Sequence, residues 1–93
     1  MSTEVRRNEG QGRYEIRVDG DLAGIADYQA EGDVLVCPHT VIDGARRGRG
    51  LGAELVRHAL DDTRRRGLKV VPACSYVARF IDEHPDYADL VAS

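Results

Sequence analysis

The sequence predicts an α/β protein: an antiparallel β-meander that continues into a parallel strand pair around one helix. Three observations predict it. Residues 14–42 carry short apolar runs separated by turn residues. A glycine-rich run, Arg47-Gly48-Arg49-Gly50-Leu51-Gly52, leads into a segment with apolar residues at helical spacing. A short apolar run, Leu68-Lys69-Val70-Val71, follows that helix. A strand, a connecting helix and a second strand make a parallel pair, because parallel strands need a crossover.

Residues 1–12 read as a flexible tail, since Asn8-Glu9-Gly10-Gln11-Gly12 has no apolar periodicity. Residues 13–93 read as a single domain, the size that 93 residues allow. Tyr14 to Val18 alternates at period two, as a half-buried strand does. Asp19-Gly20 is the dipeptide of a two-residue hairpin turn. Asp21 to Gln29 is the next strand, with Leu22, Gly24 and Ala26 expected on one face and Ala23, Ile25 and Asp27 on the other. Glu31-Gly32-Asp33 turns the chain into a third strand, Val34 to Ile42. Helix 50–66 places Leu51, Leu55, Val56, Ala59 and Leu60 on one stripe. Arg64, Arg65 and Arg66 suit the negative end of its dipole, and Gly67 stops it. Pro72 cannot donate a ladder bond, so the strand at 68–71 ends or splays there. Val77, Phe80 and Ile81 mark a second helix, and His84-Pro85 interrupts it before a final turn near Leu90.

A strand, a glycine-rich turn and a helix in that order form an anion site. The first amides of the helix have no intrahelical partner and point at one spot. Arginines add charge-assisted hydrogen bonds. A Walker A loop is excluded, because Gly52-Ala53-Glu54 offers neither the lysine nor the magnesium-binding hydroxyl. A dinucleotide fingerprint is poorly met, because no third glycine falls in step.

The remaining pattern, Arg47-x-x-Gly50-x-Gly52, resembles the pyrophosphate-binding signature of the GCN5-related N-acetyltransferases (the GNAT superfamily). Arg64-x-x-Gly67-Leu68-Lys69-Val70-Val71-Pro72-x-Cys74, His84-Pro85-x-Tyr87 and His39-Thr40-Val41 extend the resemblance to the small YjdJ-type branch. It covers roughly residues 13–92. The resemblance implies a minimal GNAT-like fold with a V-shaped gap between the two parallel strands. It also implies acetyl-coenzyme A as cofactor, an unidentified amine as acceptor and N-acetyl transfer as the reaction. Thr40, Val41, Ile42, Arg47, Gly48, Arg49, Gly50, Leu51 and Gly52 are then the cofactor-binding residues, with backbone groups of Thr40 to Ile42 meeting the pantetheine arm.

Acetyl transfer requires a neutral amine, a polarised carbonyl and a proton for the departing thiolate. Cys74, just past the strand end, and His39, on the strand feeding the turn, are the catalytic candidates. Cys74 suits covalent acyl transfer or protonation of the leaving thiol, and equally the role of a small buried hydrophobe. His39 suits a general base or a structural edge position. Tyr76 sits too close to Cys74 to match the tyrosine context of many family members, so packing is its expected role. Larger acetyltransferases place helices between their first strands to shape the acceptor pocket. Here only Asp19-Gly20 stands there, which leaves the acceptor side open. That keeps a coenzyme A-binding module without acceptor chemistry as an alternative.

The formal net charge of −3 hides an asymmetry. Residues 45–69 hold eight basic against three acidic side chains, and the remainder is acidic. A polyanion or RNA surface is the third reading, weakened by a sequence pI near 5.5, four tyrosines, one phenylalanine and no tryptophan. Two cysteines far apart, with no zinc-type spacing, are expected as reduced thiols without a metal. No apolar run of membrane-spanning length and no signal-like N-terminus is present, so the cytoplasm is the expected location.

Overall fold

The computed structural model describes residues 2–46 and 48–92. Five strands form one sheet in sequence order: β1 (Thr3–Asn8), β2 (Arg13–Val18), β3 (Asp21–Glu31), β4 (Val34–Ile42) and β5 (Lys69–Val71). The first four pair antiparallel, and β4 pairs parallel with β5. Helix α1 (Leu51–Arg65) crosses between β4 and β5, and helix α2 (Ser75–Glu83) follows β5. Short 3-10 turns occupy Gly44–Arg46 and Pro85–Leu90. This is the mixed sheet, antiparallel and then parallel, that the resemblance implied.

The tail expectation fails at its centre. Thr3 to Asn8 forms β1, registered residue by residue against β2. Val5 is its only apolar side chain inside the strand, so the hydrophobic pattern is too weak to read. The strand is held by polar groups instead. Arg7 Nη1 donates to Asp62 Oδ2 on α1 at 2.8 Å, and the Tyr14 hydroxyl donates to the same oxygen at 2.7 Å. Burial of the Asp62 carboxyl opposes ionisation, but these donors and the neighbouring arginines outweigh it and hold Asp62 below the usual carboxylate range.

Two β-bulges decide which side chains face the helices. In β3, Ile16 pairs with Gly24 and Arg17 with Leu22, so Ala23 is the extra residue. The expected split of β3 into two alternating faces is therefore wrong at its start. Ala23 and Ala26 are both buried, and Leu22 is 40% exposed. In β4, Asp27 pairs with His39 and Gln29 with Val36, so Tyr28 stands opposite both Cys37 and Pro38. Pro38 has no N–H for the ladder, which makes this the natural place for the disruption.

Helix α1 forms as its apolar spacing predicts. Leu51, Leu55 and Ala59 pack with Tyr14, Ile16, Val18, Ala23 and Ala26 of the sheet. Val56 and Leu60 join Cys37, Val70, Val77, Phe80, Ile81, Tyr87 and Leu90 in a second cluster. Leu55 and Ile16 are wholly buried, each contributing about 1.5–3 kcal/mol. The helix ends in a Schellman arrangement: Leu68 N–H bonds Thr63 O at 3.1 Å, Gly67 N–H bonds Arg64 O at 3.1 Å, and Gly67 has φ 70°. Both helices lie on one face of the sheet. The other face carries Arg13, Arg17, His39 and Val41, and a Glu15 carboxylate held by Arg13, Arg17 and Asn8.

Candidate functional site

β4 and β5 pair over only three residues each, Val34–Val36 with Lys69–Val71. Beyond the β4 bulge the chains separate. Pro72 ends β5, and the Cys74 N–H bonds the Cys37 carbonyl at 2.8 Å. Among the described residues the rest of β4 has no strand partner on that edge, where the Thr40 N–H meets Cys74 instead. Asp43 N–H donates to Ala23 O on β3 at 2.8 Å. Backbone polar groups alternate sides along a strand, so His39 and Val41 turn theirs toward β3 while Thr40 and Ile42 turn theirs into the gap. Val41 thus does not share the edge role expected of it; its side chain is exposed on the open face of the sheet.

The gap leads into a cavity of about 380 Å³ lined by Thr40, Ile42, Arg46, Gly48, Gly50, Leu51, Gly52 and Tyr76. The glycine turn forms its far end. Gly48 has φ 83° and Gly50 φ 74°, left-handed values that favour glycine. Gly50 is the N-cap of α1 and has no side chain to cap it, so the first amides of the helix remain available to a ligand. Gly52 serves a different purpose. A Cβ there would lie 2.5 Å from the Tyr76 hydroxyl, so only glycine lets Tyr76 lean over the helix start. Arg46, one-quarter exposed, reaches Asp21 Oδ2 at 3.5 Å and Asp43 Oδ2 at 3.6 Å. Arg49 is exposed beside the turn, and Arg47 lies outside the described residues.

Cys74 is the N-cap of α2 and touches the cavity lining at Thr40. Its Sγ lies 3.8 Å from Thr40 Oγ1, to which the thiol donates. Partial burial pushes this thiol up. The backbone N–H groups of Val77 and Tyr76, the Thr40 hydroxyl and the Thr40 N–H all favour the thiolate and outweigh burial, leaving it below the ordinary thiol value. Cys37 shows the contrast: burial and the neighbouring Cys74 charge push it up to about 11.

The structure therefore brings together Thr40, Ile42, Gly48, Gly50, Leu51 and Gly52, with Cys74 in contact through Thr40. It does not bring His39 to them. The β4 bulge resets the side-chain alternation, so Thr40 and Ile42 face the helices. His39 projects from the other face, 70% exposed, with Nδ1 3.9 Å from Asp27 Oδ2. Tyr76 packs over Gly52, as the sequence expected of it, and in doing so it also lines the cavity. Much of the basic run is engaged inside the fold: Arg64 pairs with Asp89, Arg65 and Arg66 pair with Asp62, and Arg46 pairs with Asp21 and Asp43.

A splayed parallel pair, a glycine turn at a helix N-terminus and one covered sheet face define an acyl-coenzyme A-type transferase fold. The chain belongs to the GCN5-related N-acetyltransferases, whose family profile matches residues 13–90. Acetyl-coenzyme A is the cofactor of that family. The chain is 29% identical to the protein NATD1 of Gallus gallus over 85 residues, 88% of this chain and 76% of that protein. Its fold is similar to the solution structure of a GCN5-like protein from Staphylococcus aureus, with TM-score 0.74 and 17% identity over 97% of this chain and 88% of the other. It is also similar to a GNAT-family acetyltransferase from Brucella melitensis crystallised with acetyl-coenzyme A, with TM-score 0.58 and 23% identity. There it covers 73% of this chain and half of that one. Among the described residues no helix is long and apolar enough to cross a membrane.

Proposed function

We propose that this protein transfers an acetyl group from acetyl-coenzyme A to an amine, with the cavity between β4 and α1 as the cofactor site. The observation that carries the reading is the β4 edge at Thr40 and Ile42, without a strand partner among the described residues and continuous with the glycine turn at the start of α1. An extended amide chain ending in a pyrophosphate is the ligand whose hydrogen-bonding groups match that sequence of surfaces. Gly48, Gly50, Leu51 and Gly52, with Arg47 and Arg49 beside them, would hold the pyrophosphate. Thr40 and Ile42 would pair with the arm, and Val41 would contribute only through its neighbours. Acetyl-coenzyme A supplies an activated thioester carbonyl.

The chain's own groups divide the remaining work. Thr40 and the first amides of α2 lower the proton affinity of the Cys74 thiol, which suits attack on the acetyl group as the thiolate or, as the thiol, proton donation to the departing thiolate. Tyr76 lines the same cavity and offers a second hydroxyl donor. His39 stands beside Asp27 on the open face, across the sheet from the cavity, and takes no part in this reading of the transfer. Placement in the YjdJ-type branch rests on the Pro72-x-Cys74 and His84-Pro85-x-Tyr87 motifs.

A panel of small amines, polyamines and peptides incubated with acetyl-coenzyme A tests the reading. Release of free coenzyme A thiol with matching acetylated product supports it. Tight coenzyme A binding with no product across the panel favours the binding-module reading, which the uncovered face of the sheet supports.

A further inference from the structure

Cys37 is a nucleophilic group near the site that acetyl transfer does not use. It sits in the β4 bulge, buried, and its carbonyl accepts the Cys74 N–H at 2.8 Å. The two backbones thus meet directly, and the Cys74 charge is felt at the Cys37 thiol. A disulfide needs α-carbons roughly 4.4–6.8 Å apart, a separation that residues in such direct contact can reach. Cys74 also packs against the apolar cluster that contains the Cys37 side chain.

We propose that Cys37 and Cys74 form a reversible intramolecular disulfide under peroxide, with Cys74 the peroxide-sensing thiol and Cys37 its resolving partner. The division of labour follows from position. Cys74 is partly exposed, at the head of α2, with Thr40 and backbone N–H groups directed at its sulfur. Peroxide-reactive cysteines share this setting: thiolate character, access and a second cysteine close by. Cys37 is 8% exposed and sits too deep to meet peroxide first.

The chemistry balances in two steps. The Cys74 thiolate attacks one oxygen of hydrogen peroxide; the O–O bond breaks, hydroxide leaves, and Cys74 becomes a sulfenic acid. The Cys37 sulfur then attacks the Cys74 sulfur. An S–S bond forms, the S–O bond breaks, and the hydroxyl leaves as water with the Cys37 proton. Peroxide is reduced to two waters and the two sulfurs are each oxidised by one electron equivalent. The disulfide draws Cys74 Sγ toward the core and away from Thr40. The device would protect Cys74 from irreversible oxidation while breaking its contact with Thr40 at the cavity lining. The disulfide stands independently of the acetyltransferase reading; only its effect on turnover rests on that reading.

The test is peroxide titration of the reduced protein, trapping of remaining thiols with N-ethylmaleimide after unfolding, and intact and peptide mass spectrometry. The expected result is a monomer lighter by two hydrogens, with no maleimide adduct, a Cys37–Cys74 cross-linked peptide, and full reversal by dithiothreitol. In Cys37→Ala, and in Cys37→Val, which refills the buried volume, Cys74 sulfenic acid should accumulate and react with dimedone. Sulfinic Cys74 in the wild-type protein with Cys37 still alkylated, or a Cys74–Cys74 dimer, would overturn the proposal. Where amine acetylation is measurable, it should be lost on oxidation and return with dithiothreitol. Unchanged acetylation in protein shown by mass to be fully disulfide-bonded would remove Cys74 from the transfer chemistry without affecting the disulfide.

Discussion

Gly52→Ala separates the needs of folding from those of the site. Gly52 lies inside α1 at ordinary helical φ, so alanine introduces no backbone strain. Replacing a helical glycine by alanine gains about 1 kcal/mol. The new methyl meets Tyr76 at 2.5 Å from its hydroxyl oxygen and 2.9 Å from Cζ. Those atoms end a flexible side chain that is 43% exposed, so the ring can swing aside. Moving it off its preferred rotamer costs about 0.5–1.5 kcal/mol. The two effects nearly cancel, and the melting temperature should stay within roughly 4 °C of wild type. Cofactor binding should not be spared. The displaced ring enters the cavity, and the methyl blocks close approach to the helix-start amides. Loss of one charge-assisted hydrogen bond is worth about 1.5–3 kcal/mol, or roughly ten- to a hundredfold in Kd. Differential scanning calorimetry and calorimetric titration with acetyl-coenzyme A measure both halves. A large fall in melting temperature with unchanged Kd would refute the reasoning.

Other perturbations probe the remaining contacts. Gly24→Ala places a methyl 2.8 Å from the Val41 carbonyl and 2.5 Å from Ile42 Cδ1. It should destabilise the β3–β4 pairing by about 1–3 kcal/mol in urea unfolding, because backbone cannot swing aside as Tyr76 can. Tyr14→Phe removes the 2.7 Å bond to Asp62 and should cost about 1.5–3 kcal/mol in the same assay. The Asp62 carboxyl is held low in the folded state, so its contribution is complete above the unfolded carboxylate value and is lost as pH falls through the lower folded one. Asp62→Asn should therefore be less stable at neutral pH and show a shallower acid slope below about pH 4. Thr40→Val should shift the pH profile of Cys74 alkylation upward, since a group favouring the thiolate is removed, while Cys37 stays unreactive in the folded protein.

The elements most readable in sequence were those whose signal is local. The period-two run at 14–18, the Asp19-Gly20 turn, the α1 stripe and Gly67 each declare themselves through spacing or backbone freedom. The glycine turn is local too: Gly48 and Gly50 take the positive φ that glycine accepts without strain. What was hidden depends on partners distant in sequence. β1 is secured by Asp62, more than fifty residues away, and offers only Val5 as an apolar clue. The bulges at Ala23 and Cys37-Pro38 shift the face of every later side chain, and a one-residue slip is invisible to an alternation count. That slip is why His39 was expected at the site and lies on the opposite face. Tyr76 was expected to pack, and the geometry of α2 folds it over Gly52, where it also lines the cavity.

The central claim is that one continuous surface, from the Gly48–Gly52 turn along the Thr40 edge to Cys74, receives acetyl-coenzyme A. Titration of isotope-labelled protein with acetyl-coenzyme A, followed by backbone amide NMR, tests it directly. The largest shifts should fall at Gly48, Gly50, Leu51, Gly52, Thr40, Ile42 and Cys74, with little change at Arg13, Glu15 and Arg17 on the open face. No shifts at millimolar cofactor, or shifts confined to the open face, would contradict the assignment.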